Sequence, residues 1–282
     1  MIKNRFRVIV FCVAILIIAP FTLCLPTEGT MEFTVSMEQP HTHYYHVLFR
    51  CEELKGEMQD FKMPVWTPGY YRIMDYARNV LNFSAKDGTG NPLEWEKTSK
   101  NTWRVKSGSS TSIRISYDVY AFNRSVADSF LDDMRAFICP TAVFMHVAGQ
   151  IQHPVTLTLE PTQNLSRIST GLDPVDGRSN TFSAPDFDIL YDCPILIGNQ
   201  EILTFVVQGI PHVIAAEDMG TFDRGKFVAD IKRVVESAVR LIGEIPYKHY
   251  TFIMMDEGRG GLEHLNSMAV FSNASDWDNP AG

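Results

Sequence analysis

The sequence has few cysteines and none of the spacings that hold structural metals or redox pairs. Five cysteines occur in 282 residues, and no two of them form a C-x-x-C pair. This excludes a zinc knuckle and a thioredoxin-type redox motif. Cys12 and Cys24 lie in an apolar N-terminal segment, so Cys51, Cys139 and Cys193 remain as an odd set that can form at most one disulfide. We predict that these three are small buried side chains.

Common catalytic and metal-binding patterns are absent as well. The sequence has no G-x-S-x-G nucleophile elbow, no Walker A loop, no G-x-G-x-x-G turn and no H-E-x-x-H pair. The one histidine cluster is HTHYYH, in which His41 and His43 would share one strand face and His46 would point to the other. Two imidazoles without a third ligand could bind a metal, but polar strand histidines explain the pattern better. We therefore predict no metal site in this chain.

Clusters of basic residues are also missing. The chain has 25 Lys and Arg residues against 33 Asp and Glu residues, a formal net charge of −8. Because no run of positive charge could neutralise a phosphate backbone, nucleic acid is excluded as a partner. The 45% hydrophobic and 21% charged fractions are those of a folded globular protein rather than a disordered one.

The N-terminus holds the one long apolar run. Three basic residues within the first seven precede an apolar stretch at residues 8–25, which matches the charged and apolar regions of a secretory signal. The stretch is also just long enough to span a bilayer as an anchor. Cys24 permits a lipoprotein signal, although Leu23 stands where a small residue is expected. We predict that residues 1–25 are a signal peptide or membrane anchor, and that the protein is exported to the periplasm or the extracellular space.

Residues 30–207 show sequence patterns that are typical of β-strands. SIRISYDVY alternates apolar Ile113, Ile115 and Tyr117 with polar neighbours, the period-2 pattern of a half-buried strand. Four further stretches are rich in β-branched and aromatic residues: MEFTVSM, YYHVLFR, PVTLTLEP and EILTFVV. Asp-Gly and Pro-Gly dipeptides, which are typical of turns, lie between the predicted strands. This range is therefore predicted to be an antiparallel β-sandwich in a mainly β protein.

The sequence pattern changes from strands to a helix after residue 207. In FDRGKFVADIKRVVESAVRLIGEIP, apolar residues recur at three- and four-residue steps, which predicts an amphipathic helix. Asp223 is the predicted N-cap, and Gly243 and Pro246 end the helix. HYTFIMM and MAVFS follow as predicted strands. Residues 208–282 are therefore predicted to be the start of an α/β domain, which we expect to continue beyond Gly282 because this range is short for an independent core.

GRGGLEHLNS, at residues 258–267, is the stretch most suggestive of function. It fits a glycine turn between two strands with polar tips. It also fits a ligand site, because glycines let a ligand approach an edge strand, which can pair with an extended peptide. A carboxylate at the end of that edge could pair with a free α-ammonium group.

The same stretch carries a family resemblance. GGLEHLNS, preceded by GEIPYKHYTFIMM, resembles the glycyl aminopeptidase family of zinc metallopeptidases, peptidase family M61. Three further stretches are similar to the N-terminal domain of that family: PVWTPGYYRIMDYARNVLNFSAKDGTGNPLEWEKTSKNTWRV, AFICPTAVFM and YDCPILIGN. The resemblance implies a β-sandwich followed by a thermolysin-like catalytic domain, a zinc cofactor, and a peptide substrate with a free N-terminus. It also implies removal of N-terminal residues, with small ones such as glycine and alanine favoured.

The resemblance assigns roles only at matching positions. It implies that Glu263 holds the amino group of the substrate, and it places six residues at the substrate cleft, with the last two in supporting roles: Gly260, Gly261, Leu262, Glu263, His264 and Asn266. Ser267 also matches the family pattern. In the family H-E-x-x-H follows this element, whereas no such pair occurs in these 282 residues.

The missing zinc pair determines what we expect of this chain. We expect it to be the N-terminal part of a longer exported metallo-aminopeptidase, with no bound zinc, no catalytic residue and no activity of its own. The alternative is a non-catalytic secreted β-sandwich that binds peptides or proteins through its exposed edge.

Overall fold

The structure is a computed structural model that describes residues 30–218 and 220–272. The predicted signal or anchor at residues 1–25 lies outside the described residues. Within the described ranges, no helix is both long enough and apolar enough to cross a membrane.

The first part of the chain consists mostly of short strands. In chain order they are β1 (Met31–Ser36), β2 (Tyr44–Cys51), β3 (Met58–Lys62), β4 (Val80–Asp87), β5 (Trp95–Ser99), β6 (Thr102–Lys106), β7 (Ile113–Tyr120), β8 (Phe130–Leu131), β9 (Ala136–Ile138), β10 (His146–Val147), β11 (Val155–Glu160), β12 (Arg167–Thr170), β13 (Asp173–Pro174), β14 (Thr181–Ala184) and β15 (Ile195–Gly198). The helical elements here are α1 (Pro140–Val143), α2 (Phe187–Tyr191) and two short 3-10 helices, Pro40–Thr42 and Tyr76–Asn79.

These strands form three sheets. A seven-stranded sheet has the order β13-β14-β11-β1-β2-β7-β4, and two four-stranded sheets have the orders β10-β3-β6-β5 and β12-β15-β9-β8. Every pairing between these named strands is antiparallel except β1 with β11, which is parallel. Strands account for 43% of the described residues and helices for 14%, so the predicted mainly β fold is confirmed.

The core of the sandwich lies between the seven-stranded sheet and its partners. Phe33 and Phe49 stack with ring centroids 4.1 Å apart, and Phe61 of a four-stranded sheet meets Phe49 edge-on at 5.9 Å. Burying each such side chain contributes about 1.5–3 kcal/mol. Cys51, Cys139 and Cys193 are buried free thiols, as predicted from the sequence.

The rest of the described chain forms a smaller α/β unit. Its elements are β16 (Glu201–Val207), β17 (Ile210–Ala216), α3 (Arg224–Ile242), β18 (Tyr250–Met255), β19 (Gly261–Glu263) and β20 (Ser267–Phe271), with the strand order β16-β17-β18-β20-β19. Strands β17, β18 and β20 run parallel, and α3 connects the first two. The predicted domains 30–207 and 208–282 remain predictions, although β16 pairs with β17 and so belongs to this five-stranded sheet.

Helix α3 begins and ends where its sequence signals predict. The Asp223 carboxylate accepts a hydrogen bond from the Lys226 amide at 2.9 Å, and Gly243 takes a left-handed conformation with φ of 95°. Capping satisfies amide groups that the first helical turn leaves unpaired. The helix packs on one face of the five-stranded sheet, and the opposite face of that sheet joins the sandwich core.

Candidate functional site

Strand β19 is the free edge of the five-stranded sheet. Among the described residues it pairs with β20 alone, through Gly261↔Val270, Leu262↔Ala269 and Glu263↔Met268. The Phe271 amide donates to the Gly260 carbonyl at 3.0 Å and the His264 amide donates to the Ser267 carbonyl at 2.9 Å. Because antiparallel pairs alternate, the backbone N–H and C=O groups of Gly261 and Glu263 point away from β20. This outer edge is available to an extended ligand.

Side chains on β19 alternate between the two faces of the sheet. Leu262 is only 4% exposed and joins the sandwich core, whereas Gly261 and Glu263 are exposed. The Glu263 carboxylate makes no hydrogen bond or ion pair with the residues that the structure describes. Burial raises the pKa of the Tyr250 hydroxyl to about 12, and the charges of Tyr247, Glu263 and Asp192 add to the rise. Within the described part of the chain, nothing therefore occupies the Glu263 carboxylate.

The sandwich closes the free edge at both ends. At Gly69, whose φ is 77°, an added Cβ would lie 2.8 Å from Leu262 Cδ1 and 3.5 Å from the Glu263 carbonyl oxygen. At the other end Arg259 forms a parallel bridge with Ser125. A ligand strand could therefore occupy only the short interval between these two contacts. The sequence predicts only a turn at Pro68-Gly69, and no local pattern indicates which strand this turn meets.

The residues after Glu263 hold the β19–β20 hairpin on the sandwich. The His264 side chain is 3% exposed, and its Nδ1 lies 2.8 Å from a carboxylate oxygen of Asp192. The other Asp192 oxygen accepts from the Leu265 amide at 2.8 Å, and Asn266 Nδ2 donates to the Gly171 carbonyl at 2.6 Å. The resemblance implies that His264 and Asn266 support the substrate cleft. In the structure, both side chains contact the sandwich rather than the free edge of β19.

A buried ion pair fixes the loop that leads into β19. Arg135 of the sandwich pairs with Glu217, with side chains 11% and 14% exposed, and also donates to the Asp256 carbonyl at 2.7 Å. The Asp256 amide donates to Glu217 at 3.0 Å. Burial raises the pKa of Glu217, and the neighbouring Arg135 opposes that rise. The sequence pattern does not reveal this network, because Arg135 lies 82 and 121 positions from its two partners.

The described residues do not supply a zinc ligand set. No group of three or more His, Cys, Asp or Glu residues within 30–218 and 220–272 could hold a metal ion. The expectation that His41 and His43 share a strand face was wrong. Pro40 begins a 3-10 helix that contains His41, and His43 is left-handed, with its Nδ1 2.6 Å from the Leu131 carbonyl oxygen. A zinc ion would not fit this cluster, because its imidazoles have separate partners: His41 lies 4.0 Å from Asp133, His43 meets the Leu131 carbonyl and His46 meets Asp118.

Comparisons with known proteins match this architecture. The family model for the Peptidase M61 N-terminal domain matches residues 32–199. An aminopeptidase N family protein from Idiomarina loihiensis is 28% identical in sequence with a TM-score of 0.83, and the match covers 90% of this chain and 44% of that one. This chain thus spans less than half the length of that relative.

More distant structures share the fold. An M1 zinc metallopeptidase from Deinococcus radiodurans is 10% identical with a TM-score of 0.50, covering 86% of this chain and 60% of that one. A variant of it bound to a Tyr-Ser-Ala substrate is 12% identical, with the same TM-score and coverage. No curated protein matches the sequence. Because the family model covers more than half of the 282 residues, this chain belongs to the Peptidase M61 N-terminal domain family.

Proposed function

We propose that β19 and Glu263 bind the amino-terminal residue of a peptide, as the substrate edge of an exported M61-type zinc metallo-aminopeptidase. The observation that carries this proposal is the free edge of β19 beside a carboxylate without a partner among the described residues. A peptide can add to such an edge through main-chain hydrogen bonds. The Glu263 carboxylate then forms a charge-assisted hydrogen bond with the α-ammonium group.

The closed end of the edge supports recognition of a peptide terminus. Gly69 lies beside the Glu263 carbonyl, where an added Cβ would be 3.5 Å from the carbonyl oxygen, so the sandwich narrows the edge at that end. A peptide that ends beside the Glu263 carboxylate is expected to end with its amino terminus, because the positive α-ammonium group is attracted to a carboxylate. This arrangement favours an exopeptidase over an endopeptidase.

The chemical step would need a metal that the described residues do not fit. Zinc, if bound, would supply a Lewis acid for the scissile carbonyl and for a water molecule, and a structural neighbour of this chain is a zinc metallopeptidase. In our proposal the zinc ligands and the general base come from outside the residues described here, while β19 binds and orients the substrate. A preference for glycine or alanine at the first position rests on the family resemblance alone.

Export is proposed from the N-terminal sequence. A basic start and an apolar run at residues 8–25 support secretion, with cleavage or membrane anchoring as the two outcomes. Mass spectrometry of the protein from its native membrane and secreted fractions distinguishes a processed N-terminus from an intact one. An intact, cytosolic chain would contradict export.

Peptide binding tests the proposed site directly. We would titrate the chain into Ala-Ala-Ala labelled with fluorescein at its carboxyl end, with and without an amino-terminal acetyl group, and follow anisotropy. Acetylation and Glu263→Gln should each weaken binding about tenfold, because both remove a charge-assisted hydrogen bond. Glu244→Gln, which changes another exposed carboxylate after α3, is the matched control and should have no effect. Equal binding of the acetylated peptide would reject the proposal.

A further inference from the structure

Arg259 lies between two glycines at the start of the free edge of β19. Both glycines stand where the backbone closely approaches a neighbouring side chain. A Cβ added at Gly258 would collide with the Phe271 ring, and one added at Gly260, whose φ is 105°, would lie 3.2 Å from Val126 Cγ2. Packing on both sides therefore holds the backbone that carries the Arg259 side chain.

The Arg259 guanidinium has no partner in the described part of the chain. Its side chain is exposed and makes no hydrogen bond or ion pair with any residue that the structure describes. Two other arginines that reach the same loop are already paired, Arg124 with Glu257 and Arg135 with Glu217. Arg259 is thus the guanidinium at this edge that is available to an anionic ligand.

A buried turn of the sandwich ends the free edge at Arg259. Ser125 forms a parallel bridge with Arg259, and the next two residues, Val126 and Ala127, are 3% and 0% exposed. The Tyr76 hydroxyl donates to the Ala127 carbonyl at 2.8 Å and anchors the turn. Because the turn is packed in the core, it does not move aside for a longer ligand strand.

The interval left for a ligand is about three residues long. Arg259 and Glu263 are four residues apart, a span of at most about 14 Å. A peptide whose amino group meets Glu263 must run back toward Arg259, antiparallel to β19. Residues of antiparallel strands stand opposite one another, so its first three residues would face Glu263, Leu262 and Gly261. The carboxyl group of a tripeptide then lies beside Gly260, next to Arg259.

The charges at the two ends of the interval match those of a short free peptide. Glu263 is negative where the α-ammonium group binds, and Arg259 is positive where the chain of a tripeptide ends. The termini of an extended tripeptide are roughly 10 Å apart, which fits within the interval. A guanidinium also donates two parallel hydrogen bonds to one carboxylate, which makes arginine well suited to a carboxyl terminus.

We infer that the edge site selects tripeptides with a free carboxyl terminus, and that Arg259 binds this carboxylate. This inference rests on the proposed function and names its substrate class. It places no demand on the first side chain, so glycine and alanine remain suitable there.

Calorimetric titration with unlabelled peptides tests the role of Arg259. Ala-Ala-Ala should bind the chain about fivefold more tightly than its carboxyl-terminal amide, as expected for one exposed ion pair. Arg259→Gln should bring the two affinities to within about twofold of each other. Arg178→Gln is the matched control: it changes another exposed arginine whose side chain has no partner among the described residues, in the turn between β13 and β14, and should leave the ratio unchanged.

A longer peptide tests the length of the site. Ala-Ala-Ala-Gly-Gly-Gly keeps the first three residues but moves its carboxylate past the turn at Ser125. It should therefore bind no more tightly than the amide of Ala-Ala-Ala. Binding as tight as that of Ala-Ala-Ala itself would overturn the selection of tripeptides.

Heteronuclear NMR locates the carboxylate independently of affinity. The Nε–Hε signal of Arg259, assigned by its loss in Arg259→Gln, should shift when Ala-Ala-Ala is added and stay in place when the amide is added. Equal shifts with both peptides would overturn the assigned contact.

The outcomes separate the inference from the function beneath it. Equal binding of Ala-Ala-Ala and its amide, with acetylation and Glu263→Gln still weakening both, would reject the role of Arg259 and retain the proposed edge site. Binding that ignores Glu263 and acetylation would reject the edge site, and the inference with it.

Discussion

The sandwich and the five-stranded sheet differ in how fully their apolar surfaces are covered. In the sandwich, Phe33, Phe49 and Phe61 are almost completely buried between sheets. On α3, only Val239 is buried, whereas Leu241 is 88% exposed. The five-stranded sheet is therefore well packed on the face toward the sandwich and thinly covered on the face toward its helix.

This difference shows which part of the molecule positions the proposed site. Leu262, His264 and Asn266 all contact the sandwich, as does the loop held by Arg135. The edge strand is thus held from the sandwich side, while no described residue covers its other face, which carries Glu263. A binding edge held in this way can stay rigid without losing access to a ligand.

The largest effect should come from breaking the buried ion pair between the two regions. Arg135→Met leaves the Glu217 carboxylate buried without its partner, which should lower the free energy of unfolding by about 3–5 kcal/mol. Urea denaturation followed by circular dichroism measures this change. Removing both charges, in Arg135→Met with Glu217→Leu, should recover much of the loss.

Arg124→Met provides the matched control for that prediction. Arg124 pairs with Glu257, but the two side chains are 38% and 66% exposed. Exposed pairs contribute about 0–1 kcal/mol, so this variant should be nearly as stable as the parent. If both arginine variants lost the same stability, the buried pair would not be the contact that joins the regions.

The sequence predicted local structure far better than it predicted how the two regions meet. The period-2 pattern of β7 and the capping residues of α3 are local signals, and the structure confirms both. The close approach of Gly69 to Leu262 joins residues nearly 200 positions apart, and no local pattern encodes it. The prediction for His41 and His43 failed for a local reason, because Pro40 fixes a turn where a strand was expected.

The candidate site was predictable only in part. Two glycines beside a carboxylate indicated a strand edge with a charged end, and β19 has that arrangement. The sequence did not show that His264 and Asn266 would turn toward the sandwich, because their partners Asp192 and Gly171 lie far away in the chain.

A second prediction compares leucines on the two faces of the five-stranded sheet. Leu262→Ala removes a side chain packed against the sandwich and should cost about 2–5 kcal/mol. Leu241→Ala, on the exposed face of α3, should change stability by less than about 0.5 kcal/mol. Thermal and urea unfolding of both variants measures the difference. Equal losses would mean that α3 is as well packed as the hairpin, contrary to the comparison above.

The smallest predicted effect compares one helix cap in each region. Asp186 caps α2 in the sandwich through the Ile189 amide at 2.8 Å, and Asp223 caps α3 through the Lys226 amide at 2.9 Å. Replacing either aspartate with alanine should cost about 1 kcal/mol if the helix unfolds together with the rest of the molecule. Because α3 has few buried contacts, Asp223→Ala should instead show its effect mainly as faster amide hydrogen exchange within α3.

Hydrogen exchange of the two cap variants therefore distinguishes local from global opening. For Asp186→Ala, exchange should rise across the sandwich, since α2 packs within its core through Phe187 and Leu190. For Asp223→Ala, the rise should be confined to residues 224–242, and the amides of β18 should keep their protection. A rise that spread from α3 into β18 would show that the thinly covered helix is coupled to the sheet, and that the two regions unfold as one unit.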